Sequence, residues 1–313
     1  MINRVLIRIK VIQILYSFYK GGNAEAANAQ KELILSLEKT YEMYFYLLML
    51  VNEITSYAAK RIERDKNKHL ATPEQKNQSL KFVQNSFAKQ LAGNFTLNQY
   101  KNDHNLSWAQ QEFLMEELYN KILESEVYQA YMDDVESSYA KDKELWRMLF
   151  KTVISDSETL GREFEEMSIY WNDDADVVVS FVMKTIKQFD ESNAENQELI
   201  SMFKDEEDRK YANDSLRYAL YNEAEYREMI YRNAKNWDPE RIAFMDMVIM
   251  QTAISEFCNF PSIPVNVTMN EFIEISKSYS TNKSGTFING VLDSVAKELR
   301  ASNKLVKAVS FSN

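Results

Sequence analysis

The chain has 313 residues, 45% of them hydrophobic, with only 6 glycines and 4 prolines, a composition that excludes disorder and argues against strands and tight turns in favour of long helices. A single cysteine, Cys258, excludes an internal disulfide and any cysteine-rich metal site, and the longest apolar run, residues 43–51, is too short to cross a bilayer. The net charge of −10 does not exclude a polyanionic partner, because residues 130–210 carry 21 acids against 10 bases and leave +1 for everything else.

Residues 3–20 read as one helix, closed by Gly21 and Gly22. Val5, Ile9, Ile12 and Tyr16 form one apolar stripe and Ile7, Val11, Ile14 and Phe18 another, so this helix is expected to be buried on two sides. Its cations, Arg4, Arg8, Lys10 and Lys20, precede the first carboxylate at Glu25. They also interrupt any apolar signal core, so the chain reads as cytoplasmic. A second helix is expected from about residue 24 to 64, apolar at Leu33, Leu37, Tyr44, Leu47, Leu48, Val51 and Ile54. Thr72, Pro73 and Glu74 supply a cap, a first-turn proline and an early acid.

The middle, residues 65–204, reads as further helix with acids on its solvated sides. Ser107 is placed to cap a helix over 108–121, and Val177, Val178 and Val179 fall inside a helix-periodic segment. After the acidic quartet 205–208 comes a tyrosine-rich helix over 211–234. Asp238, Pro239 and Glu240 read as the next helix start, with Trp237 and Ile242 as its staple. Pro261 and Pro264 enforce an extended connection. Thr268 and Glu271 have capping-box spacing, and a turn rich in Thr, Asn, Lys, Ser and Gly leads to a last helix with an apolar face of Phe287, Ile288, Val291, Leu292, Val295 and Leu299.

Three stretches carry a resemblance: WDPERIAFMD at 237–246, VTMNEFIEISK at 267–277 and KSGTFINGVLD at 283–293. Together with Arg8, Gln13, Leu15 and Tyr16 near the start, they resemble the NusB family of bacterial transcription antitermination factors. The resemblance covers roughly the first twenty and the last hundred residues; the acidic middle resembles the insertion of longer NusB-like proteins. It implies an all-α fold of NusB-like packed helical bundles with a large helical insertion, divided as residues 1–64, 65–204 and 205–313. It further implies a factor that catalyses nothing and needs no cofactor or metal. Such factors bind the boxA element of ribosomal RNA leader transcripts together with the ribosomal protein NusE, within the RNA polymerase antitermination complex.

On that reading RNA is expected at Arg4, Arg8, Lys10, Gln13, Lys277, Tyr279, Lys283, Phe287 and Asn289, since single strands are held by cations along the backbone and by rings against the bases. Asp246 matches the position whose acid contacts NusE. Two departures weaken the electrostatic contribution: fewer N-terminal arginines, and Gln251 where many members carry arginine. Two alternatives stay open. One is the related RNA-binding domain that precedes ribosomal-RNA cytosine methyltransferases, which would need a Rossmann-like domain and a nucleophilic cysteine downstream. The other is a protein–protein scaffold that has lost RNA binding.

Overall fold

The computed structural model describes residues 1–22, 25–234, 241–281 and 283–305. Contacts divide the chain into two compact units: Glu38–Met202 with Met1, and Ile2–Leu37 with Phe203–Asn313. All regular structure among the described residues is helical, apart from one isolated bridge between Ile2 and Phe203.

Helix α1 (Arg4–Lys20) starts where the Asn3 side chain accepts the Leu6 N–H, and it stops at Gly21, followed by Gly22 at φ 64°. Helix α2 (Ala26–Lys66) belongs to the Ile2–Leu37 part of one unit as far as Leu37 and to the Glu38–Met202 unit from Glu38 on. The contact boundary therefore falls inside a continuous helix. Every apolar position expected along α2 is buried.

The Glu38–Met202 unit continues with α3 (Pro73–Lys76), α4 (Ser86–Gly93), α5 (Phe95–Asp103), α6 (Glu112–Glu124), α7 (Glu126–Asp133) and α8 (Tyr139–Leu149), the last running into a π-helical turn, Phe150–Ile154. Helices α9 (Glu158–Met167) and α10 (Ala175–Gln188) complete it, with a 3-10 segment at Glu191–Asn196. Helix α8 packs on α4, α7 and α10, and its Trp146 and Leu149, with Phe150 of the π-helical turn, are fully buried. Thr72 and Gln75 form the reciprocal capping box of α3. Ser107 instead closes a local turn onto the Ala109 N–H, and α6 begins only at Glu112.

The other unit is built around α13 (Phe244–Asn259), after α11 (Glu206–Tyr221) and α12 (Glu223–Asn233). The single helix expected over 211–234 is thus two, broken at Asn222. Helix α13 touches α1, α11, α12, α14 (Val265–Tyr279) and α15 (Ser284–Ala301), and its residues from Asp246 to Phe257 are buried without exception. A helix surrounded on all sides needs an apolar sequence all round, which the MVIMQTAISEF run nearly supplies. The expected helix start at Asp238, Pro239 and Glu240, with Trp237, lies outside the described residues. The Thr268–Glu271 capping box does not form, because α14 already begins at Val265 behind Pro264. Thr268 donates its hydroxyl to Glu256 instead, at 2.6 Å.

Candidate nucleic-acid interface

Helix α1 runs against α11 and α13, and this decides the fate of its cations. Arg8 is 4% exposed. Its Nε and one terminal nitrogen each donate to the Glu256 carboxylate at 2.9 Å, and the other terminal nitrogen lies 3.7 Å from Glu271. Tyr211 and Thr268 also donate to Glu256, so four donors converge on one buried carboxylate. Burial opposes the Arg8 charge, but the Tyr211 hydroxyl and the Glu256 and Glu271 carboxylates outweigh it and hold its pKa above the usual value. Burial, reinforced by Glu256, likewise pushes the Tyr211 phenol up.

Arg8 thus has no surface to offer a ligand, and neither has Lys10, which is 2% exposed. Both residues, expected at an RNA contact, are interior to the fold, where a near-continuous apolar helix surface buries whatever cation it carries. Arg4 is half-buried and bonded at 2.9 Å to both Asp208 and Glu207, with its guanidinium 5.2 Å from the Tyr211 ring centre. Its charge is already matched within the fold.

The C-terminal residues fare differently. An open cavity of about 580 Å³ lies between α14 and α15, lined by Ile273, Lys277, Thr281, Gly285, Thr286 and Asn289. Lys277 and Asn289 therefore face one groove, and exposed Lys283 stands at the N-terminal end of α15 beside it. Tyr279, half-buried at the last turn of α14, accepts a 3.4 Å hydrogen bond from Gln13 of α1. Phe287 is buried on the core side of α15 and belongs to the packing.

Asp246 holds the turn that shapes this groove. Its two carboxylate oxygens accept the Ser280 hydroxyl at 2.5 Å and the Ser284 hydroxyl at 2.9 Å. The residue, expected as an acid that meets a partner protein, is 5% exposed. Gln251 is also interior: its amide donates to the Tyr19 hydroxyl at 2.6 Å and the Ala219 carbonyl at 2.9 Å.

Sequence reasoning passed over a second polar–aromatic cluster. Tyr16 and Tyr19 meet Phe244 edge-on at 5.3 and 6.3 Å, while the Lys20 ammonium lies 4.7 Å above the Phe244 ring. The Arg227 guanidinium lies 4.5 Å from the Tyr19 ring, donates to Gln251 at 3.3 Å and pairs with Glu223 at 2.9 Å. The i, i+3, i+4 spacing of Tyr16, Tyr19 and Lys20 was the available signal. Burial pushes the Tyr19 phenol up to about 12, against the effect of the Gln251 hydrogen bond.

The architecture is that of an all-α protein with a cationic, ring-bearing surface on its α13-centred unit. Residues 175–297 match the NusB family profile. The transcription antitermination protein NusB of Salinibacter ruber is 33% identical over 132 residues, covering 40% of this chain and 82% of that protein. Its counterpart from Geobacter sp. strain M21 is 31% identical over 136 residues, 44% of this chain and 91% of the relative. That of Koribacter versatilis is 42% identical over 100 residues, 32% and 68% respectively. No solved structure matches the chain. This chain belongs to the NusB family of transcription antitermination proteins, in a long form. Among the described residues no helix is long and apolar enough to cross a membrane.

Proposed function

We propose that the chain is a non-catalytic antitermination factor that binds boxA-type single-stranded RNA together with NusE and promotes read-through by RNA polymerase. The observation that carries the reading is the α14–α15 groove, where Lys277, Lys283 and Asn289 gather on a surface inside the family-matching residues 175–297. Lysines at the rim suit a phosphate backbone, and the Asn289 amide offers both a donor and an acceptor to a base edge. Tyr16, Tyr19, Lys20 and Phe244 add half-buried rings with a cation above them, the combination on which bases stack.

Arg4, Arg8, Lys10 and Phe287 are left out of this surface, because three are buried and the fourth is paired with acids. Asp246 enters as the residue that shapes the groove. RNA affinity in isolation should therefore be low, with NusE supplying the remainder. The test is binding of a boxA oligonucleotide with and without NusE at two salt concentrations. Joint, salt-dependent binding supports the proposal; failure to bind NusE with negligible or sequence-blind RNA affinity overturns it.

A scaffold without RNA binding is the second reading, favoured by the internal pairing of the N-terminal arginines. NusE binding that RNA does not strengthen would select it. The methyltransferase-domain reading is not favoured, since the relatives that match are antitermination proteins.

A further inference from the structure

The Glu38–Met202 unit contains 29 acids and 18 bases, a net charge of −11. The acids are not spread evenly. Between Lys101 and Lys121, and again between Arg162 and Lys184, there is no lysine or arginine at all. These two stretches meet in space. Trp108 donates its indole N–H to the Tyr46 carbonyl at 3.0 Å, and Trp171 donates to the Lys39 carbonyl at 2.6 Å. Both indoles pack on Tyr46 and on Phe164, with ring centres 5.2–6.1 Å apart. The resulting aromatic box is buried and fixes where the chain emerges on either side of it.

What emerges is apolar. Phe113, in the first turn of α6, is 71% exposed, and Ile169, just past the end of α9, is 77% exposed. The segments 108–117 and 159–164 run past each other in opposite directions, since Glu117 accepts from Thr159 while Trp108 meets Phe164. Phe113 follows Trp108 by five residues and Ile169 precedes Trp171 by two, so both side chains belong to segments anchored at the same aromatic box. Glu112, Glu116, Glu165, Glu166 and Asp173, which flank them in the sequence, are all exposed.

Large apolar side chains in an open acidic field are a characteristic of interfaces. The sign of the field selects the occupant. A second copy would set like charges against each other, and RNA or an anionic lipid surface would be repelled. We propose that this face docks a basic, amphipathic protein segment, with Phe113 and Ile169 as its anchors and the flanking carboxylates supplying charge complementarity. It is a surface separate from the α14–α15 groove, and its test does not involve RNA.

The experiment titrates the full chain into a fluorescein-labelled amphipathic helical peptide of lysine and leucine, followed by anisotropy at low and physiological salt. The expected result is binding that weakens with salt. Phe113→Ser with Ile169→Ser should reduce affinity about tenfold or more, and Glu165→Lys with Glu166→Lys should reduce it comparably. Val135→Ser removes an exposed apolar side chain that follows α7, outside the two stretches that lack lysine and arginine, and should change nothing. A glutamate-for-lysine peptide should not bind. Absence of binding, or binding untouched by the anchor variants or lost equally with Val135→Ser, overturns the proposal. So does self-association in sedimentation, or flotation with anionic vesicles, that Phe113→Ser abolishes.

Discussion

Arg8 and Glu256 stand 248 residues apart in the chain and meet through two parallel 2.9 Å hydrogen bonds in the interior of one unit. The pair joins α1 to α13, and Tyr211 and Thr268 bring α11 and α14 to the same carboxylate. An ion pair at this depth contributes little net stability when whole, but a single missing partner leaves a buried charge without compensation.

Arg8→Met alone, or Glu256→Gln alone, should therefore destabilise the α13-centred unit by about 3–5 kcal/mol. Arg8→Met combined with Glu256→Leu should recover much of that loss. Urea denaturation midpoints check both statements, and equal instability of the single and double variants would contradict the account. Arg4→Ala serves as the contrast: its half-exposed pairs should be worth about 0–1 kcal/mol.

The second expectation concerns the groove. Lys277→Ala and Lys283→Ala should each weaken RNA binding at all sequences and flatten the logarithmic salt dependence by about one unit per phosphate contact removed. Arg4→Ala should leave the slope unchanged, because Glu207 and Asp208 already neutralise that charge. A slope that follows Arg4 and ignores the two lysines would move the interface to the other end of α1.

Asp246→Ala should release the Ser280 and Ser284 hydroxyls together. Losing two hydrogen bonds from a buried carboxylate costs about 1–3 kcal/mol, and the effect should be local. Hydrogen exchange of the backbone amides in residues 280–288 is expected to accelerate, while the rest of α13 stays protected. Uniform acceleration throughout the unit would show that Asp246 supports the whole core rather than the turn.

Alkaline pH offers a fourth test. Burial raises Tyr19 and Tyr41 to about 12, from an ordinary value near 10. A raised phenol pKa means the folded state keeps its proton where the unfolded state has released it. The stabilisation is complete below pH 10 and is lost as the pH climbs through 12. Tyrosinate absorbance should rise in two stages, with Tyr19→Phe removing amplitude from the later one.

Much of the fold is legible in the sequence. The glycine stop after α1, the burial pattern of α2 and the Thr72 N-cap of α3 follow from local periodicity and cap chemistry. The interface is legible only in part. Lys277 on α14, Lys283 in the turn and Asn289 on α15 are all exposed, so their residue types report their surroundings. Arg8, Lys10 and Asp246 do not, since a charge can be buried when its partners arrive from elsewhere. For Arg8 those partners lie on α13 and α14, which no local window contains. Thr268 and Glu271 have capping-box spacing yet face Glu256 and Arg8, because Pro264 started the helix one turn earlier.

Helix α13 places Asp246, Gln251 and Glu256 five residues apart along an otherwise apolar interior, and each answers to different neighbours. Asp246 reads the turn before α15, Gln251 reads Tyr19 and Arg227, and Glu256 reads Arg8, Tyr211 and Thr268. Sliding or rotating the helix would leave all three without partners at once, so the trio acts as a key that admits a single registration. Its consequence concerns how the sequence can drift. Apolar positions of α13 can exchange one at a time for others of similar volume. These three can change only in company with residues far away in the chain, so a substitution at Glu256 without one at Arg8 marks a lineage under strain.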